Sequence, residues 1–291
     1  MKYAYYPGCS LKGTGRAYEE SLLAVFAALG IEFEELADWN CCGATSYMSV
    51  DELSSFALAA RNLALAEREK RDIIAPCAAC YLVLNKTQHY MHDYPDVNRV
   101  VTRALGSIGL TYSGRTKVRH PLDILLNDVG VKAIAAKVTK PLHGLKVAPY
   151  YGCQIVRPYA TFDDQRNPTS MDRLLAACGA KVIDYSGKTE CCGASQKGTL
   201  PAVGLDRIRR LLTAAQREGA EVIATVCPLC QFNLECFQDE ASNGGPPITI
   251  PVMYFTQLLA WALGAPGETI GLQRSLVPVD KVLAGKETVH A

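Results

Sequence analysis

The sequence predicts an α/β fold that is internally duplicated, with two Rossmann-like parallel-sheet halves that carry cysteine-rich loops at the carboxyl ends of their strands. Three observations support this prediction. Short apolar strand patterns alternate with amphipathic helical patterns, which is typical of a parallel sheet with right-handed crossovers. One spacing of cysteines occurs twice along the chain. The words next to the cysteines repeat as well, since Cys-Cys-Gly-Ala occurs at 41–44 and again at 191–194.

In the first half, the predicted elements follow the order βαβαβ. They are strands at 2–6, 31–36 and 73–75 and helices at 17–29 and 51–71. The helix at 17–29 has apolar residues at helical spacing and stops at Gly30, whereas 31–36 alternates like a strand. In this order Cys9, Cys41-Cys42 and Cys77 each follow a strand. All five thiols of the half are therefore expected at one edge of the sheet, where open α/β folds place ligand sites.

The second half repeats this order. Its predicted elements are strands at 145–148, 181–185 and 221–225 and helices at 171–178 and 203–218. Its extra residues lie in a polar stretch at 157–169, which is expected to shape the edge of the site. Apolar segments at 121–130 and 251–264 close the two halves, and residues 252–263 are interpreted as a buried helix. Residues 265–291 lack strong periodicity, which leaves open either a docking arm or a loosely ordered terminus.

The length of 291 residues and the duplication together predict two domains. The expected boundary is the polar, turn-prone stretch at 138–144. This boundary gives a first domain at 1–140 and a second domain at 141–291, which includes the C-terminal tail.

Charge and apolar patterning disfavour several classes of partner. The 30 Lys and Arg residues nearly balance the 29 Asp and Glu residues, so neither nucleic acid nor an anionic membrane is an expected partner. The sequence shows no secretory signal pattern, and residues 252–263 are shorter than the ~20 residues that span a bilayer. We therefore expect a cytoplasmic protein without direct membrane insertion. In that reducing compartment, 12 cysteines indicate metal binding or redox chemistry rather than structural disulfides.

Ten of the cysteines form two copies of one pattern. In the first copy, Cys9 is followed after 31 residues by Cys41-Cys42-Gly43 and after 33 more by Cys77-Ala78-Ala79-Cys80. In the second copy, Cys153 is followed after 37 residues by Cys191-Cys192-Gly193 and after 33 more by Cys227-Pro228-Leu229-Cys230. The repeated gap of 33 residues indicates that a common ancestor of the two halves already had this site.

The number of cysteines in each copy restricts what can be bound. A structural zinc takes four N or S ligands, and an ordinary [4Fe-4S] cubane takes four thiolates. A fifth thiol therefore favours a larger or more open cluster, in which one thiolate bridges two irons or one iron has an extra ligand. Cys178 and Cys236 lie outside the pattern and are interpreted as buried core residues.

These motifs, Cx31CCGx33CxxC and Cx37CCGx33CxxC, resemble the CCG-domain proteins, and the whole chain is similar to the HdrB family of heterodisulfide reductases. Tyrosine-rich words precede both first cysteines, Tyr5-Tyr6-Pro7-Gly8-Cys9 and Tyr150-Tyr151-Gly152-Cys153. The resemblance implies the catalytic component of an oxidoreductase that interconverts a disulfide and thiols on two noncubane [4Fe-4S] clusters. It assigns one cluster to Cys9, Cys41, Cys42, Cys77 and Cys80, and the other to Cys153, Cys191, Cys192, Cys227 and Cys230. It further implies two partners, an HdrC-like iron–sulfur protein and an HdrA-like flavin protein.

Alternatives within the family stay open. The word Pro7-Gly8-Cys9-Ser10-Leu11-Lys12-Gly13 looks more like the bacterial branch, which includes sulfur-oxidising complexes that are thought to act on lipoyl-bound sulfur. Other relatives are electron-transfer subunits of different oxidoreductases, and some bind zinc in one copy.

Three basic residues follow the first cysteine of a copy, namely Lys12, Arg16 and Arg157. They either neutralise an anionic substrate or the negative clusters, or they are solvated loop charges. Gly13 and Gly15 do not complete a dinucleotide-binding GxGxxG, because position 18 is a tyrosine.

Overall fold

Each half of the chain contributes one four-stranded parallel sheet, which confirms the predicted α/β class. The structure is a computed structural model and describes residues 2–44, 46–242, 244–279 and 282–283. The first sheet contains β1 (Tyr3–Tyr5), β2 (Phe33–Glu35), β3 (Ile73–Ile74) and β4 (Val118–Arg119), in the order β2-β1-β3-β4. The second contains β5 (Lys146–Tyr150), β6 (Lys181–Val182), β7 (Val222–Thr225) and β8 (Val252–Tyr254), in the order β6-β5-β7-β8.

Helices occupy the connections between the strands. The first half has α1 (Gly8–Leu11), α2 (Arg16–Leu29), α3 (Ser46–Val50), α4 (Glu52–Arg68), α5 (Ala78–Asp93), α6 (Pro95–Ser107), α7 (Pro121–Ile124), a π-helix (Leu125–Val129) and α8 (Val131–Ala135). The second has α9 (Ser170–Ala177), α10 (Ala194–Lys197), α11 (Pro201–Arg217), α12 (Pro228–Cys236), α13 (Gln238–Ser242), α14 (Phe255–Ala262) and 3-10 helices at Gly267–Ile270 and Leu272–Arg274. Within the described ranges, none of these helices combines the length and apolarity needed to cross a membrane.

The end of α2 and the start of α4 are explained by the residues that lie there. Gly30 ends α2 with a left-handed φ of 72°, and the N–H of Ile31 donates to the Phe26 carbonyl at 2.9 Å. This pairing satisfies a carbonyl that the last helical turn leaves free. Asp51 begins α4, because its carboxylate accepts a hydrogen bond from the Ser54 N–H at 3.0 Å.

Each sheet has a fourth strand that the sequence did not predict. In the second half the closing segment at 251–264 begins with this strand, β8, whereas in the first half β4 lies just before the closing segment at 121–130. The interpretation of residues 252–263 as one helix is therefore wrong at its start, since α14 begins only at Phe255. Buried on all sides, a short apolar run carries no periodicity that separates a strand from a helix.

The two halves pack through helices α2 and α14. The hydroxyl oxygens of Ser21 and Thr256 lie 2.7 Å apart across this contact. Gly15 also lies against the second half, since a Cβ added to it would stand 3.2 Å from the Pro228 Cβ. One hydrophobic core contains residues of both halves. The division into domains at 1–140 and 141–291 stays a prediction.

The polar stretch at 157–169 crosses from the second half to the first. The Tyr159 ring stacks on the His89 ring of α5 at 4.1 Å between centroids. The Thr161 hydroxyl makes a hydrogen bond with the Tyr81 hydroxyl, which follows Cys80. The extra residues of the second copy thus lie against the helix that begins at the CxxC motif of the first copy.

The tail also returns to the first half. The Arg274 guanidinium forms an ion pair with Glu20 of α2 at 2.7 Å, and the Val277 N–H donates to the Glu235 carboxylate at 3.3 Å. Residues 265–279 therefore dock on the chain itself. The expectation for positions 280–281 and 284–291 lies outside the described residues.

Candidate functional site

The first set of cysteines lies in the loops that follow β1, β2 and β3. The sulfur atoms of Cys42 and Cys80 are 3.2 Å apart. The Cys80 thiol also contacts Cys77, and the Cys42 thiol contacts Cys41. Cys9 is close enough to Cys41 to act on it electrostatically. The chain thus brings five free thiols together from three separate loops.

The second set has the same arrangement beyond β5, β6 and β7. The sulfur atoms of Cys192 and Cys230 are 3.5 Å apart. The Cys230 thiol also contacts Cys227, and the Cys153 thiol contacts Cys191. In both sets the CxxC cysteines and the second CCG cysteine are buried, whereas the first CCG cysteine is exposed. Each site therefore extends from the core to the surface.

The glycine of each CCG word has a conformation that only glycine adopts easily. Gly43 and Gly193 both have φ of 78°, in the left-handed region. The Gly43 N–H points to the Cys41 sulfur at 3.5 Å, and the Gly193 N–H points to the Cys191 sulfur at 3.4 Å. This turn aims a backbone donor at the exposed thiol of each set.

A second pair of glycines makes room for sulfur. Gly8 and Gly152 directly precede the first cysteine of each copy and have φ of 66° and 68°. A Cβ added to Gly8 would stand 3.0 Å from the Cys80 sulfur, and one added to Gly152 would stand 3.2 Å from the Cys230 sulfur. A side chain at either position would fill the space beside the thiols.

The CxxC motifs lie at helix N-termini. Cys77 is the N-cap of α5 and Cys227 is the N-cap of α12. A hydrogen bond from the Cys80 thiol, and then one from the Cys80 backbone N–H, lowers the pKa of the Cys77 thiol. The positive end of the helix dipole adds to this effect, so the thiolate form required of a metal ligand is favoured there.

One tyrosine in each half holds the CCG loop. The buried Tyr6 donates its hydroxyl hydrogen to the Asn40 carbonyl at 2.8 Å, and Tyr150 donates to the Glu190 carbonyl at 2.7 Å. These carbonyls belong to the residues just before the two CCG words. Burial, followed by the charge of Cys80 or Cys230, raises the pKa of each tyrosine. Both hydroxyls therefore stay protonated and available as donors.

An aromatic group that the motifs did not reveal lies between the two sets. The Tyr18 ring stacks on the Tyr254 ring, and both lie within electrostatic range of Cys77 and Cys227. The Tyr18 hydroxyl is 3.4 Å from His120 Nε2. These residues lack counterparts in the repeated words, so the comparison of the two copies could not find them.

His120 is fixed in one tautomer. The Leu122 N–H donates to His120 Nδ1 at 3.1 Å, so the ring hydrogen belongs on Nε2. Nε2 then donates to the Pro76 carbonyl at 2.9 Å, directly before Cys77. Burial lowers the pKa of His120 to about 3. The neutral ring therefore anchors the start of the first CxxC loop.

The basic residues predicted to meet a substrate have different surroundings. Lys12 pairs with Glu19 and Glu35 at 2.7 and 2.8 Å, and Arg16 is exposed at the start of α2. Arg157 donates to the Thr189 carbonyl, close to the second CCG word.

The motifs did not reveal Arg207 of α11, because it lies 14 residues beyond Gly193 in a helix full of charged residues. A contact with Cys153, a backbone hydrogen bond from Gly193, and then the charges of Arg207 and Arg157 lower the pKa of Cys191. Two guanidinium groups thus act on the exposed thiol of the second set.

The two cysteines outside the pattern differ from each other. Cys178 is fully buried at the end of α9, as predicted. Cys236 is exposed, so its interpretation as a core residue is wrong. It ends α12 four residues after Phe232, which is also exposed, and residues four apart share a helix face.

The fit of each set to a multinuclear cluster rests on the donors present. Among the described residues, no group of three or more His, Cys, Asp or Glu side chains stands ready to hold a single metal ion. Each set does provide five free thiols, backbone N–H groups aimed at sulfur, and glycines that leave space beside it. These features fit a sulfur-rich cluster whose irons bind different thiolates.

The fold and its paired sites define a duplicated, cysteine-rich α/β protein. The family model of the cysteine-rich domain, CCG, matches residues 3–85 and 147–235. The chain therefore belongs to the CCG cysteine-rich domain family, which confirms the resemblance drawn from the motifs.

Two curated relatives match nearly the whole chain. The 8-methylmenaquinol:fumarate reductase membrane anchor subunit of Wolinella succinogenes is 30% identical, with 97% of this chain and 99% of the relative covered. A protein of Archaeoglobus profundus that is named for its likeness to the B subunit of heterodisulfide reductase is 32% identical, with 93% of both covered.

A solved structure shares the fold. It is the crystal structure of a hypothetical protein from Helicobacter pylori, which matches 96% of this chain with a TM-score of 0.76 at 15% identity. This chain spans 52% of that protein. At this identity the likeness extends to the fold alone.

Proposed function

We propose that the chain is the catalytic iron–sulfur subunit of a heterodisulfide reductase-like complex. Its reaction is the interconversion of thiols and a disulfide or a related sulfur species. The observation that carries the proposal is the pair of matching sites, each with five free thiols drawn from three loops. A disulfide needs two electrons and yields two thiolates, and two matching sites suit that stoichiometry. The Archaeoglobus relative, named for its likeness to a heterodisulfide reductase component, supports this class.

In this proposal each set of five cysteines binds one noncubane [4Fe-4S] cluster. Cys9, Cys41, Cys42, Cys77 and Cys80 hold the first, and Cys153, Cys191, Cys192, Cys227 and Cys230 hold the second. When bound, such clusters supply single electrons and iron sites with affinity for sulfur. The CxxC cysteines are occupied as ligands, so neither acts as the nucleophile of thiol–disulfide exchange.

The surrounding residues orient and separate the two sites. Tyr6 and Tyr150 fix the CCG loops through their carbonyls, and His120 anchors the loop that precedes Cys77. The stacked rings of Tyr18 and Tyr254 keep water out of the space between the sets, since both side chains are buried. Two guanidinium groups near Cys191, those of Arg157 and Arg207, favour an anionic substrate or thiolate product at the second site.

The complex and its location belong to the same proposal. An HdrC-like iron–sulfur protein and an HdrA-like flavin protein would deliver the electrons. A cytoplasmic location suits a chain whose 12 cysteines are all free. Lipoyl-bound sulfur stays an alternative substrate.

A second candidate function is electron transfer to a different catalytic protein. It is favoured by the Wolinella relative, which is named as part of a fumarate reductase and matches 97% of this chain. In that case the sites would relay electrons and bind no substrate sulfur.

Metal analysis and spectroscopy test these functions. Anaerobically purified protein should contain about eight irons, and C42A or C192A should lose about half of them while C178A keeps all. Two zinc ions with little iron and sulfide would overturn both redox functions. Addition of a thiol to oxidised protein should change the electron paramagnetic resonance (EPR) signal. An unchanged signal would favour electron relay over disulfide chemistry.

A further inference from the structure

Among the described residues of the second half, three hydroxyl groups are buried without a hydrogen-bond partner, and two of them, those of Tyr185 and Thr225, lie near the cysteines. Within the described residues, neither Tyr185 Oη nor Thr225 Oγ1 has a hydrogen-bond partner. Burial of an unsatisfied hydroxyl is unfavourable, and native proteins rarely keep such groups. Each hydroxyl therefore has an unused donor in the interior of the protein.

Both hydroxyls belong to the surroundings of the second set of cysteines. Thr225 is the last residue of β7, two positions before Cys227. Tyr185 follows β6 and lies close enough to Cys230 and Tyr150 to interact with them electrostatically. Its ring packs over Gly187, whose added Cβ would stand 2.6 Å from the tyrosine ring. The ring is thus held in place by the turn that leads to the second CCG word.

The first half has an apolar residue where Tyr185 stands. Strand β1 pairs Tyr3 with Phe33, and strand β5 pairs Val147 with Val182. Tyr3 and Val147 lie five positions before Gly8 and Gly152, the glycines that face sulfur, so the two pairs correspond. Three residues further along the chain, Leu36 corresponds to Tyr185.

The same holds for Thr225. Strand β1 pairs Ala4 with Ile73, and strand β5 pairs Ala148 with Ile223. Two residues further along, Ala75 corresponds to Thr225. The duplication has therefore placed two hydroxyls near the second site and none at the matching positions of the first.

We propose that Tyr185 and Thr225 donate hydrogen bonds to sulfur atoms of the group held by the second set of cysteines, which makes the second site the more readily reduced of the two. This inference rests on the proposed function, since it requires a redox group at both sites. Hydrogen bonds to sulfur stabilise the extra negative charge of the reduced form and raise the reduction potential. The positive charges of Arg157 and Arg207 act in the same direction, because both lie near Cys191.

Tyr185 and Thr225 therefore make the two duplicated sites unequal. An electron that reaches either site would rest preferentially at the second one. The second site also has two guanidinium groups beside its exposed thiol. We therefore assign to it the step of the reaction that builds up more negative charge.

A redox titration of the cluster-loaded, anaerobically purified chain tests this inference by EPR. Y185F and T225V should each lower one of the two midpoint potentials, by about 59 mV for a tenfold change in a one-electron equilibrium, and leave the other unchanged. Matched controls are Y112F and T87V, whose hydroxyls already have partners in Gln88 and the Val83 carbonyl. The controls should leave both potentials unchanged. The reciprocal variant A75T should raise the other potential.

A second measurement needs no variant. After exchange into heavy water, electron–nuclear double resonance on wild-type protein should detect more coupled deuterons at one cluster than at the other, because the backbone N–H groups of Gly43 and Gly193 contribute one deuteron to each. Equal deuteron couplings at the two clusters, or midpoint potentials that are unchanged in both Y185F and T225V, would overturn the inference while leaving the proposed function intact. A chain without iron would overturn both.

Discussion

The ring of Tyr18 stacks on the ring of Tyr254 with 4.5 Å between centroids and 11° between planes. The contact joins helix α2 of the first half to strand β8 of the second. Both rings lie within electrostatic range of Cys77 and Cys227. One pair of buried aromatic rings therefore lies at the contact between the halves, close to both candidate sites.

Substitution of Tyr18 separates the contribution of the ring from that of the hydroxyl. Tyr18→Leu removes the stack and is expected to lower the free energy of unfolding by about 3 kcal/mol. Tyr18→Phe keeps the ring and loses only the contact with His120, so a loss of about 1 kcal/mol is expected. Denaturant unfolding under anaerobic conditions measures both. Equal losses would show that the hydroxyl, not the stack, joins the halves.

The glycine of the first CCG word should tolerate no side chain. In Gly43→Ala the new Cβ would stand 2.7 Å from the Ser55 Oγ and 3.1 Å from the Ser55 Cα. Gly30→Ala is the matched control, because Gly30 has a similar φ of 72° but no atom within 4 Å of an added Cβ. The control should lose only the ~1–2 kcal/mol of left-handed strain. Gly43→Ala should lose more stability and also iron, and a result no worse than the control would contradict this account of the turn.

His120 should make the protein sensitive to acid. Burial lowers its pKa to about 3 in the folded chain, whereas an unfolded histidine titrates near 6.5. The unfolded state therefore binds the extra proton between these values, and stability is lost as the pH falls below about 6.5. Between pH 8 and pH 5 the free energy of unfolding of the wild type should fall by about 2 kcal/mol more than that of His120→Gln. Parallel losses in the two proteins would mean that the ring is not kept neutral.

Glu235 should have the opposite effect. Burial raises its pKa from 4.5 to about 7, although it accepts hydrogen bonds from Val277 and Gln231. The folded state then binds more protons than the unfolded state between these values, so stability falls as the pH rises. Between pH 5 and pH 7 the free energy of unfolding of the wild type should fall by about 2 kcal/mol relative to that of Glu235→Gln. Melting curves of both proteins across this range measure the difference. A difference in stability that stays the same at every pH would contradict this prediction.

The parts of the fold that the sequence predicts are local or repeated. Helix α2 follows from its apolar spacing and the glycine that ends it, and the cysteine loops follow from a pattern that occurs twice. Both kinds of information lie within short segments of the sequence. Strand β8 was missed because a short run buried on every side has no distinguishing period, and β4 was missed because its two residues, Val118 and Arg119, are too few to show one.

The parts that escaped prediction are those in which the halves differ. Tyr18 and His120 meet at a contact between the two copies, and Tyr185 replaces a leucine of the first copy. A comparison of repeats finds only what the copies share. The exposed Cys236 was missed for another reason, since composition cannot tell which face of a helix a terminal cysteine occupies.

The docking of α14 and the 3-10 helix Gly267–Ile270 on α2 has a consequence for biogenesis. As the chain is synthesised, the side of α2 that carries Tyr18 and Ser21 stays uncovered until residues 255–270 have left the ribosome. The nascent first half is therefore expected to stay only partly folded, and to need protection by chaperones, until the end of the second half has been synthesised. Cofactor insertion into both sites should accordingly follow the synthesis of residues 255–270 rather than precede it.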